Sequence, residues 1–357
     1  MTPGPVRISV SARSDLGRTR SHNEDTFLVA DLSTGDADLS AAVRDHVEGP
    51  RGSFFLVADG MGGAAAGELA SSMAAQRIVR HLLETWRRDP EPSPRRFVER
   101  MREAIELANA EVHRYAASHP EVRGMGTTVT AAGVLGDELY LLQIGDSRAY
   151  LVRAGEAVQL TKDQSLTQRL VDAGELTEEE AERSQRRNII LQALGPEDEV
   201  RVELTRQPLS RGDTLILCSD GLSGVVRREE LAALAAQHPD PDALCGALID
   251  LANERGGPDN VTVVVAHFEG EGLPAPGASP PAGYYPVDDA LRELSPDAPL
   301  DEPVATATGP VPAFAAGAPE PAAPAPDPAR RARRLRSTVL QVLAAIALSL
   351  LGWWVLR

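Results

Sequence analysis

The sequence has few cysteines and almost no lysine, and both shortages exclude classes of protein. Two cysteines, Cys218 and Cys245, can neither build a disulfide framework nor supply the ligands of a structural zinc site. The only lysine, Lys162, is followed by Asp163 instead of serine or threonine, which excludes a Walker A loop. Because the chain has too few cysteines for a disulfide framework, we interpret its folded part as intracellular.

Basic charge is also scarce. The 357 residues include 36 Lys and Arg against 52 Asp and Glu, which gives a formal net charge of -16. A protein that neutralises nucleic-acid phosphates needs a basic face, and none is visible in the sequence before residue 330. We therefore predict no nucleic-acid partner. The hydrophobic content of 43% is normal for a globular core, and the length suits one large or two ordinary domains.

The chain has one long uncharged run, at 337–356. Its length matches the roughly 20 residues that a helix needs to cross a bilayer. Five arginines fill the preceding segment 330–336, and Trp353 and Trp354 lie near the far end of the run. A basic flank indicates the cytoplasmic side, and tryptophans favour the membrane interface. We therefore predict a transmembrane helix at 337–356, a basic juxtamembrane segment at 330–336, and a single-pass protein whose N-terminal bulk faces the cytoplasm.

The segment 270–329 is rich in proline and alanine and short of bulky apolar residues. Such a composition predicts a disordered linker, extended in part as polyproline II. The sequence thus predicts a folded domain at 1–269 that is tethered to the membrane by this linker.

The predicted domain mixes strands with long helices. Short apolar runs predict buried strands at 54–58, 127–134, 139–144, 214–218 and 261–268. Two alanine-rich amphipathic stretches, 67–86 and 95–117, predict adjacent helices. The later strands are joined by loops too short for crossover helices, which favours antiparallel pairing. We therefore predict an α+β sandwich and not a doubly wound parallel sheet.

Acidic residues recur where these strands end. The four strand-end aspartates are Asp59, Asp146, Asp220 and Asp259, and an early "RTRSHNED" adds Glu24 and Asp25. A single Asp-Gly after a strand is usually a turn. If these acids converge, their mutual repulsion in a partly desolvated cleft destabilises the fold unless cations are present. Oxygen ligands in that number, without a His or Cys cluster, suit Mg²⁺ or Mn²⁺.

The stretch "FFLVADGMGG" also permits a different interpretation. Gly60, Gly62 and Ala65 fit the G-x-G-x-x-A spacing of a dinucleotide-binding loop. That motif expects a second strand after the helix, ending in an acid about 20 residues further on. Here the helix leads into "WRRDPEPSPRRF", a proline-broken turn, and then into another helix. We therefore disfavour a dinucleotide site.

Seven motifs together resemble one family. They are "RTRSHNED", "VADGMGG", "GMGTT", "IGDSRAY", "AGELT", "LCSDGLSG" and "GGPDNVTVVV". Their order and spacing resemble those of the bacterial metal-dependent protein phosphatases, the PPM or type 2C serine/threonine phosphatases. The resemblance covers Ile8 to Phe268. It implies a four-layer α-β-β-α sandwich with a binuclear Mn²⁺ or Mg²⁺ centre between the ends of the two sheets.

The resemblance also implies a set of metal ligands. They are Asp59, Gly60, Asp220, Asp259, Glu24, Asp25 and Asp146. Asp59 is expected to bridge both ions, and the carbonyl of Gly60 to bind one of them. Asp220 and Asp259 are expected to complete the other site, while Glu24 and Asp25 hold bound waters or contact the second ion. Asp146, with Asp220, is expected to bind a third, weaker ion.

The implied reaction is hydrolysis of phosphoserine and phosphothreonine by a metal-activated water, with Arg20 binding the phosphoryl oxygens and Asp59 as the central catalytic ligand. The expected partners are phosphorylated cytoplasmic proteins, including a serine/threonine kinase or its substrates. Some positions depart from the family pattern. Met61 stands where many animal relatives have histidine, as is common in bacterial members, and "KDQS" and "SQRRN" lack the two histidines common in the flap. The alternative is a catalytically weak or inactive relative that binds phosphoproteins at the membrane.

Overall fold

The structure is a computed structural model, and it describes residues 4–37, 42–184, 186 and 188–287. The predicted membrane helix at 337–356, the basic segment 330–336 and the linker from 288 onward lie outside the described residues. Among the residues that are described, no helix has the length and hydropathy needed to span a bilayer.

Two sheets, antiparallel throughout, form the centre of the domain. The first sheet has six strands: β1 (Arg7–Asp15), β3 (Ala42–Val47), β8 (Arg148–Arg153), β9 (Glu156–Gln159), β11 (Thr214–Cys218) and β12 (Val261–Glu269). The second has seven: β2 (Asp25–Asp31), β4 (Ser53–Met61), β5 (Gly126–Thr127), β6 (Val129–Leu135), β7 (Glu138–Ile144), β10 (Glu203–Pro208) and β13 (Tyr285–Pro286). Their spatial orders are β3-β1-β12-β11-β8-β9 and β13-β10-β7-β6-β4-β2, with β5 paired to β4.

The described residues also form seven α-helices. They are α1 (Ala64–Glu84), α2 (Pro94–Ser118), α3 (Leu166–Asp172), α4 (Glu178–Glu182), α5 (Asp220–Ser223), α6 (Arg228–Gln237) and α7 (Pro241–Glu254), with a short 3-10 turn at Pro120–Val122. The start of α2 illustrates the local signals. Ser93 accepts a hydrogen bond from the backbone N–H of Arg96, and Pro94 occupies the first helical position, where its missing N–H costs nothing.

The core lies in three layers because side chains alternate across each strand. In β4, Phe54 and Leu56 pack beneath α1 and α2, whereas Phe55 and Val57 face the other sheet. The outer face of the first sheet, including Ile216, packs against α6 and α7. The order of layers is therefore helices, sheet, sheet, helices.

The structure confirms the predicted α+β architecture with two antiparallel sheets. Four of the apolar runs predicted as strands lie within single strands, the run 127–134 is divided between β5 and β6, and both long helices are present within a few residues of their predicted bounds. Strands β1, β2, β3, β8, β9 and β10 were not singled out in the sequence. In β1 the sequence "RISVSARSD" mixes serine and arginine with apolar residues, so its apolar signal is weak.

The chain after residue 269 differs from the prediction that a disordered linker begins at 270. Residues 270–287, which we call the strap, pack against the domain. Leu273 is 2% exposed and Val287 is 1% exposed. The guanidinium of Arg153 donates to the Pro280 carbonyl at 2.6 Å, and β13 pairs with β10. The folded chain therefore continues beyond the predicted boundary, because a few apolar anchors and backbone hydrogen bonds suffice to hold a proline-rich segment.

Candidate metal centre

Strand pairing brings two of the predicted acids together. In the register of β2 against β4, Asp25 lies directly opposite Asp59, so their side chains share one face of the sheet. The backbone of Asp59 is fixed by its neighbours. Its N–H donates to Thr128 Oγ1 at 3.0 Å, and its carbonyl accepts from the Thr128 N–H at 2.8 Å and from Thr127 Oγ1 at 2.9 Å. The carboxyl of Asp59 is thus held at one end of the strand pair.

Asp25 is a buried carboxyl with only part of its hydrogen bonding satisfied. Ser219 Oγ donates to Asp25 Oδ2 at 2.7 Å. The other oxygen, Oδ1, is buried without a hydrogen-bond partner among the described residues. Burial, reinforced by Asp220 and Asp259, raises the pKa of Asp25 to about 7. An ionised Asp25 therefore needs a cation close by.

The raised pKa of Asp59 indicates that four other acids lie near its carboxyl. Burial raises its pKa well above the ordinary value, and the charges of Asp25, Asp220, Asp146 and Asp259 raise that pKa further, in this order of effect. These four residues come from four separate elements or loops of the chain. The structure thus brings the strand-end aspartates into a single electrostatic neighbourhood.

Asp146 is the second acid with an unpartnered oxygen. It is 7% exposed, and its Oδ1 is buried without a hydrogen-bond partner in the described part of the chain. Burial raises its pKa to about 7, with further contributions from Asp220 and Asp163. Asp146 therefore lies on the side of the cleft nearest Asp220.

Asp220 and Asp259 enter the cleft from the first sheet. Asp220 is the first residue of α5, directly after β11 and Ser219. Asp259 precedes β12, and its Oδ2 accepts a hydrogen bond from the guanidinium of Arg20 at 2.6 Å. The Arg20 side chain is 49% exposed, so it lies at the open edge of the acidic cleft. Hydrogen bonding to Asp259 raises the pKa of Arg20, helped by Glu24 and Asp59.

Glu24 and Gly60 meet at a close crossing of the backbone. The Gly60 N–H donates to the Glu24 carbonyl at 3.1 Å. A Cβ at Gly60 would lie 2.1 Å from the carbonyl oxygen of Gly67, and a Cβ at Gly67 would lie 2.1 Å from Glu24 Oε2. Burial raises the pKa of Glu24. Both glycines are therefore required by the tight packing of α1 against the end of β4.

Several uncharged residues that position the acids were not assigned from the sequence. Asn260 is one of them. Its Oδ1 accepts from the Glu24 N–H at 2.9 Å, and its Nδ2 donates to the carbonyls of Leu16 at 3.0 Å and His22 at 2.9 Å. Ser219, Thr128 and Gly67 have similar supporting roles. Asn260 and Ser219 lie beside strand-end aspartates in the motifs, which is the only sequence signal for them.

The residues fit hard divalent cations. Five aspartates share one cleft, two of them have buried unpartnered oxygens, and their mutual repulsion favours bound positive charge. Within the described ranges, no three His, Cys, Asp or Glu side chains form a ready-made metal-ligand cluster. The fit therefore comes from the burial, oxygen chemistry and repulsion of the acids.

Comparison with known proteins identifies relatives of the whole described domain. The family model for protein phosphatase 2C matches residues 39–246. The serine/threonine protein phosphatase PstP of Mycobacterium tuberculosis is 40% identical over 259 residues, which are 72% of this chain and 45% of that protein. The matching region thus spans less than half the length of this relative. The serine/threonine phosphatase stp of Listeria monocytogenes is 36% identical over 254 residues, 71% of this chain and 93% of that protein.

A solved structure has the same fold. The crystal structure of the PstP catalytic domain in complex with two manganese ions superposes with a TM-score of 0.60 at 37% identity, and the match covers 74% of this chain and 99% of that one.

Proposed function

The chain belongs to the protein phosphatase 2C family, and we propose that it is a metal-dependent phosphatase that hydrolyses phosphoserine and phosphothreonine in proteins. The observation that carries the proposal is the convergence of Asp25, Asp59, Asp146, Asp220 and Asp259 on one cleft, with repulsion that cations relieve. The manganese-bound PstP structure supports the choice of ion.

We assign the ligands as the family resemblance implies. Asp59, the carbonyl of Gly60, Asp220 and Asp259 would hold two Mn²⁺ or Mg²⁺ ions, with Asp59 shared between them, and Asp146 with Asp220 would hold a third, weaker ion. When bound, two divalent ions would supply an activated water and neutralise charge on a phosphoryl group. The position of Asp59 among four other acids supports its central role.

The protein's own residues orient the water and the phosphoryl group. Glu24 and Asp25 lie side by side at the start of β2 and provide acceptors for ordered water. Arg20 stands at the edge of the cleft with one terminal nitrogen donating to Asp259. Its planar guanidinium carries further N–H donors that can hold two phosphoryl oxygens at once. Arg20 thereby links substrate binding to the position of the ligand Asp259.

The membrane anchor and the biological partners are further parts of the proposal. The uncharged run 337–356 and the arginines of 330–336 support a tether that keeps the domain at the cytoplasmic face of a membrane. Substrates then include phosphorylated proteins near that membrane, among them a serine/threonine kinase or its targets.

The test is hydrolysis of a phosphothreonine peptide by the full chain in detergent, with Mn²⁺ and with a chelator. We expect phosphate release with Mn²⁺ and none with the chelator, and a loss of at least about 100-fold in Asp220→Asn. The matched control is Asp198→Asn, an exposed aspartate outside the cleft, which should act like the wild type. Turnover that survives the chelator or Asp220→Asn contradicts the metal mechanism. Binding of the peptide without turnover in any condition favours the phosphoprotein-binding alternative.

A further inference from the structure

Two glutamines hold the turn that carries Asp146. Gln143 Nε2 donates to the carbonyls of Gly145 at 2.9 Å and Ser147 at 2.8 Å, and Gln164 binds the same turn from a later part of the chain. The Gln164 N–H donates to the Gly145 carbonyl at 2.8 Å, and the Gly145 N–H donates to Gln164 Oε1 at 2.9 Å. Both backbone hydrogen-bonding groups of Gly145 are therefore bonded to Gln164. Gly145 has a φ of 99°, and a Cβ there would lie 2.6 Å from Thr128 Cγ2. The backbone just before Asp146 is thus in a conformation that needs glycine and is held by both Gln143 and Gln164.

Gln164 also contacts the chain that returns after α4. The Leu191 N–H donates to the Gln164 carbonyl at 2.8 Å, and Gln192 Nε2 donates to Gln164 Oε1 at 2.9 Å. At the first residue of α3, the Leu166 N–H likewise donates to the Ile189 carbonyl at 2.9 Å. Gln164 therefore joins the Gly145–Asp146 turn to both ends of the α3–α4 segment.

An ion pair fixes the other side of the same turn. Arg148 Nε and Nη2 donate to the carboxylate of Asp163 at 2.7–3.0 Å, and Arg148 Nη1 donates to Tyr150 Oη at 3.1 Å. The Asp163 side chain is 9% exposed, so this two-pronged contact is shielded from water. Asp146 and Ser147 thus lie between two fixed residues. Gly145 on one side is hydrogen-bonded to Gln164, and Arg148 on the other side is paired with Asp163.

We propose that Gln164 is a positioning residue that holds Asp146 in the acidic cleft and couples ion binding at Asp146 to the order of the α3–α4 segment. This inference depends on the proposed metal centre. The amide suits the role because its oxygen accepts from the Gly145 N–H, which fixes the residue next to Asp146. The buried, unpartnered Oδ1 of Asp146 is the atom available to a cation. Loss of the amide removes the acceptor of the Gly145 N–H, while the backbone N–H of residue 164 and Gln143 Nε2 still bind the Gly145 carbonyl. The turn is therefore loosened, and the weak ion site at Asp146 is weakened.

The test uses full-chain Gln164→Ala, with Gln76→Ala on the exposed face of α1 as the control. We measure Mn²⁺ binding by electron paramagnetic resonance and tryptic cleavage after Arg169 and Arg183 with and without Mn²⁺. We expect Gln164→Ala to weaken the weakest Mn²⁺ site by about three- to tenfold, as for loss of one hydrogen bond. The protection of the α3–α4 segment by Mn²⁺ should be lost, while Gln76→Ala behaves as wild type.

Gln164→Glu separates positioning from a general loss of stability. It retains an oxygen acceptor for the Gly145 N–H, so we expect it to retain the Mn²⁺-dependent protection that Gln164→Ala loses. Unchanged ion binding and protection in Gln164→Ala overturn the inference, even if that variant unfolds at a lower temperature. A wild-type chain that binds no Mn²⁺ overturns the proposed metal centre as well, whereas two strong sites with an unaffected third leave that centre intact and overturn only the role of Gln164.

Discussion

Single residues show how a cleft with five aspartates can fold before any ion binds. Hydroxyl groups form hydrogen bonds with the carboxylate of Asp25 and with the backbone of Asp59. Ser219 Oγ donates to Asp25 and also accepts from the Thr262 N–H at 3.0 Å, and Thr128 Oγ1 accepts from the Asp59 N–H and lies 2.8 Å from Ser147 Oγ. The Asp-Gly dipeptides at strand ends were visible in the sequence. The roles of Ser219 and Thr128 were not, because they depend on which strands meet in the fold.

Ser219→Ala should weaken the support of Asp25. The substitution removes a side-chain donor to Asp25 Oδ2 and an acceptor for the Thr262 N–H, so we expect a loss of about 1–3 kcal/mol in the free energy of unfolding. Urea denaturation in the presence of a chelator measures it. Ser118→Ala, at an exposed helix end, is the control and should change this free energy by less than about 0.5 kcal/mol. Equal effects of the two substitutions would rule out the supporting role of Ser219.

Glu48, a buried carboxyl whose charged neighbours are Asp31 and Asp137, should also make stability depend on pH. Burial raises its pKa to about 8, with contributions from Asp31 and Asp137. A carboxyl whose pKa is raised in the folded state contributes fully to the free energy of unfolding when the pH is below its ordinary pKa. This contribution is lost as the pH rises through about 8. We therefore expect Glu48→Gln to gain stability relative to wild type between pH 5 and pH 9, by on the order of a few kcal/mol.

Chemical denaturation at several pH values measures this difference. The exposed Glu121→Gln provides the control, with no such trend. A constant difference between wild type and Glu48→Gln over this range would show that Glu48 is not held protonated.

Helices, strands and the strap differ in how well the local sequence predicts them. Continuous apolar strands such as β4 and β11, and long amphipathic helices such as α2, have strong local signals. The strap has none, since its composition predicts disorder. Its packing depends on Leu273, Val287 and contacts such as Ser279 Oγ with the Leu209 carbonyl at 3.0 Å. Such contacts between distant parts of the chain are outside the reach of local pattern.

Leu273→Ala tests whether the strap contributes to the fold. The side chain is 2% exposed and packs in the layer between the two sheets, so truncation should cost about 2–5 kcal/mol of unfolding free energy. Leu107→Ala, on α2, is the control because Leu107 is 36% exposed. Denaturant unfolding of the two full-chain variants makes the comparison. If Leu273→Ala costs no more than Leu107→Ala, the strap is not part of the stable domain.

The whole molecule combines a strongly acidic chain with a cleft that concentrates part of that charge. The antiparallel sandwich could be predicted from strand succession, and the acid set from the motifs. The exact side-chain neighbourhood could not, because Asp25, Asp146, Asp220 and Asp259 are distant in sequence and meet only through the two sheets. We therefore expect cations to stabilise the domain, because they offset the repulsion among these acids.

This link predicts a pH window for stabilisation by Mn²⁺. Asp25 and Asp146 have folded pKa values raised to about 7, so their protonated forms stabilise the ion-free domain at low pH, and this contribution is lost as the pH rises through about 7. Mn²⁺ competes with those protons. The increase in melting temperature caused by Mn²⁺ over chelator should thus be small near pH 5 and larger near pH 8. A Mn²⁺ effect independent of pH would contradict these protonation states.

The most direct measurement of the central claim is a Mn²⁺ titration of the full chain followed by electron paramagnetic resonance. The wild type should bind two ions strongly, and Asp59→Asn should lose strong binding of both, because Asp59 is the proposed bridge between them. Asp198→Asn should bind like the wild type. A wild-type chain that binds no Mn²⁺ strongly, or an Asp59→Asn variant that retains both ions, would contradict the account.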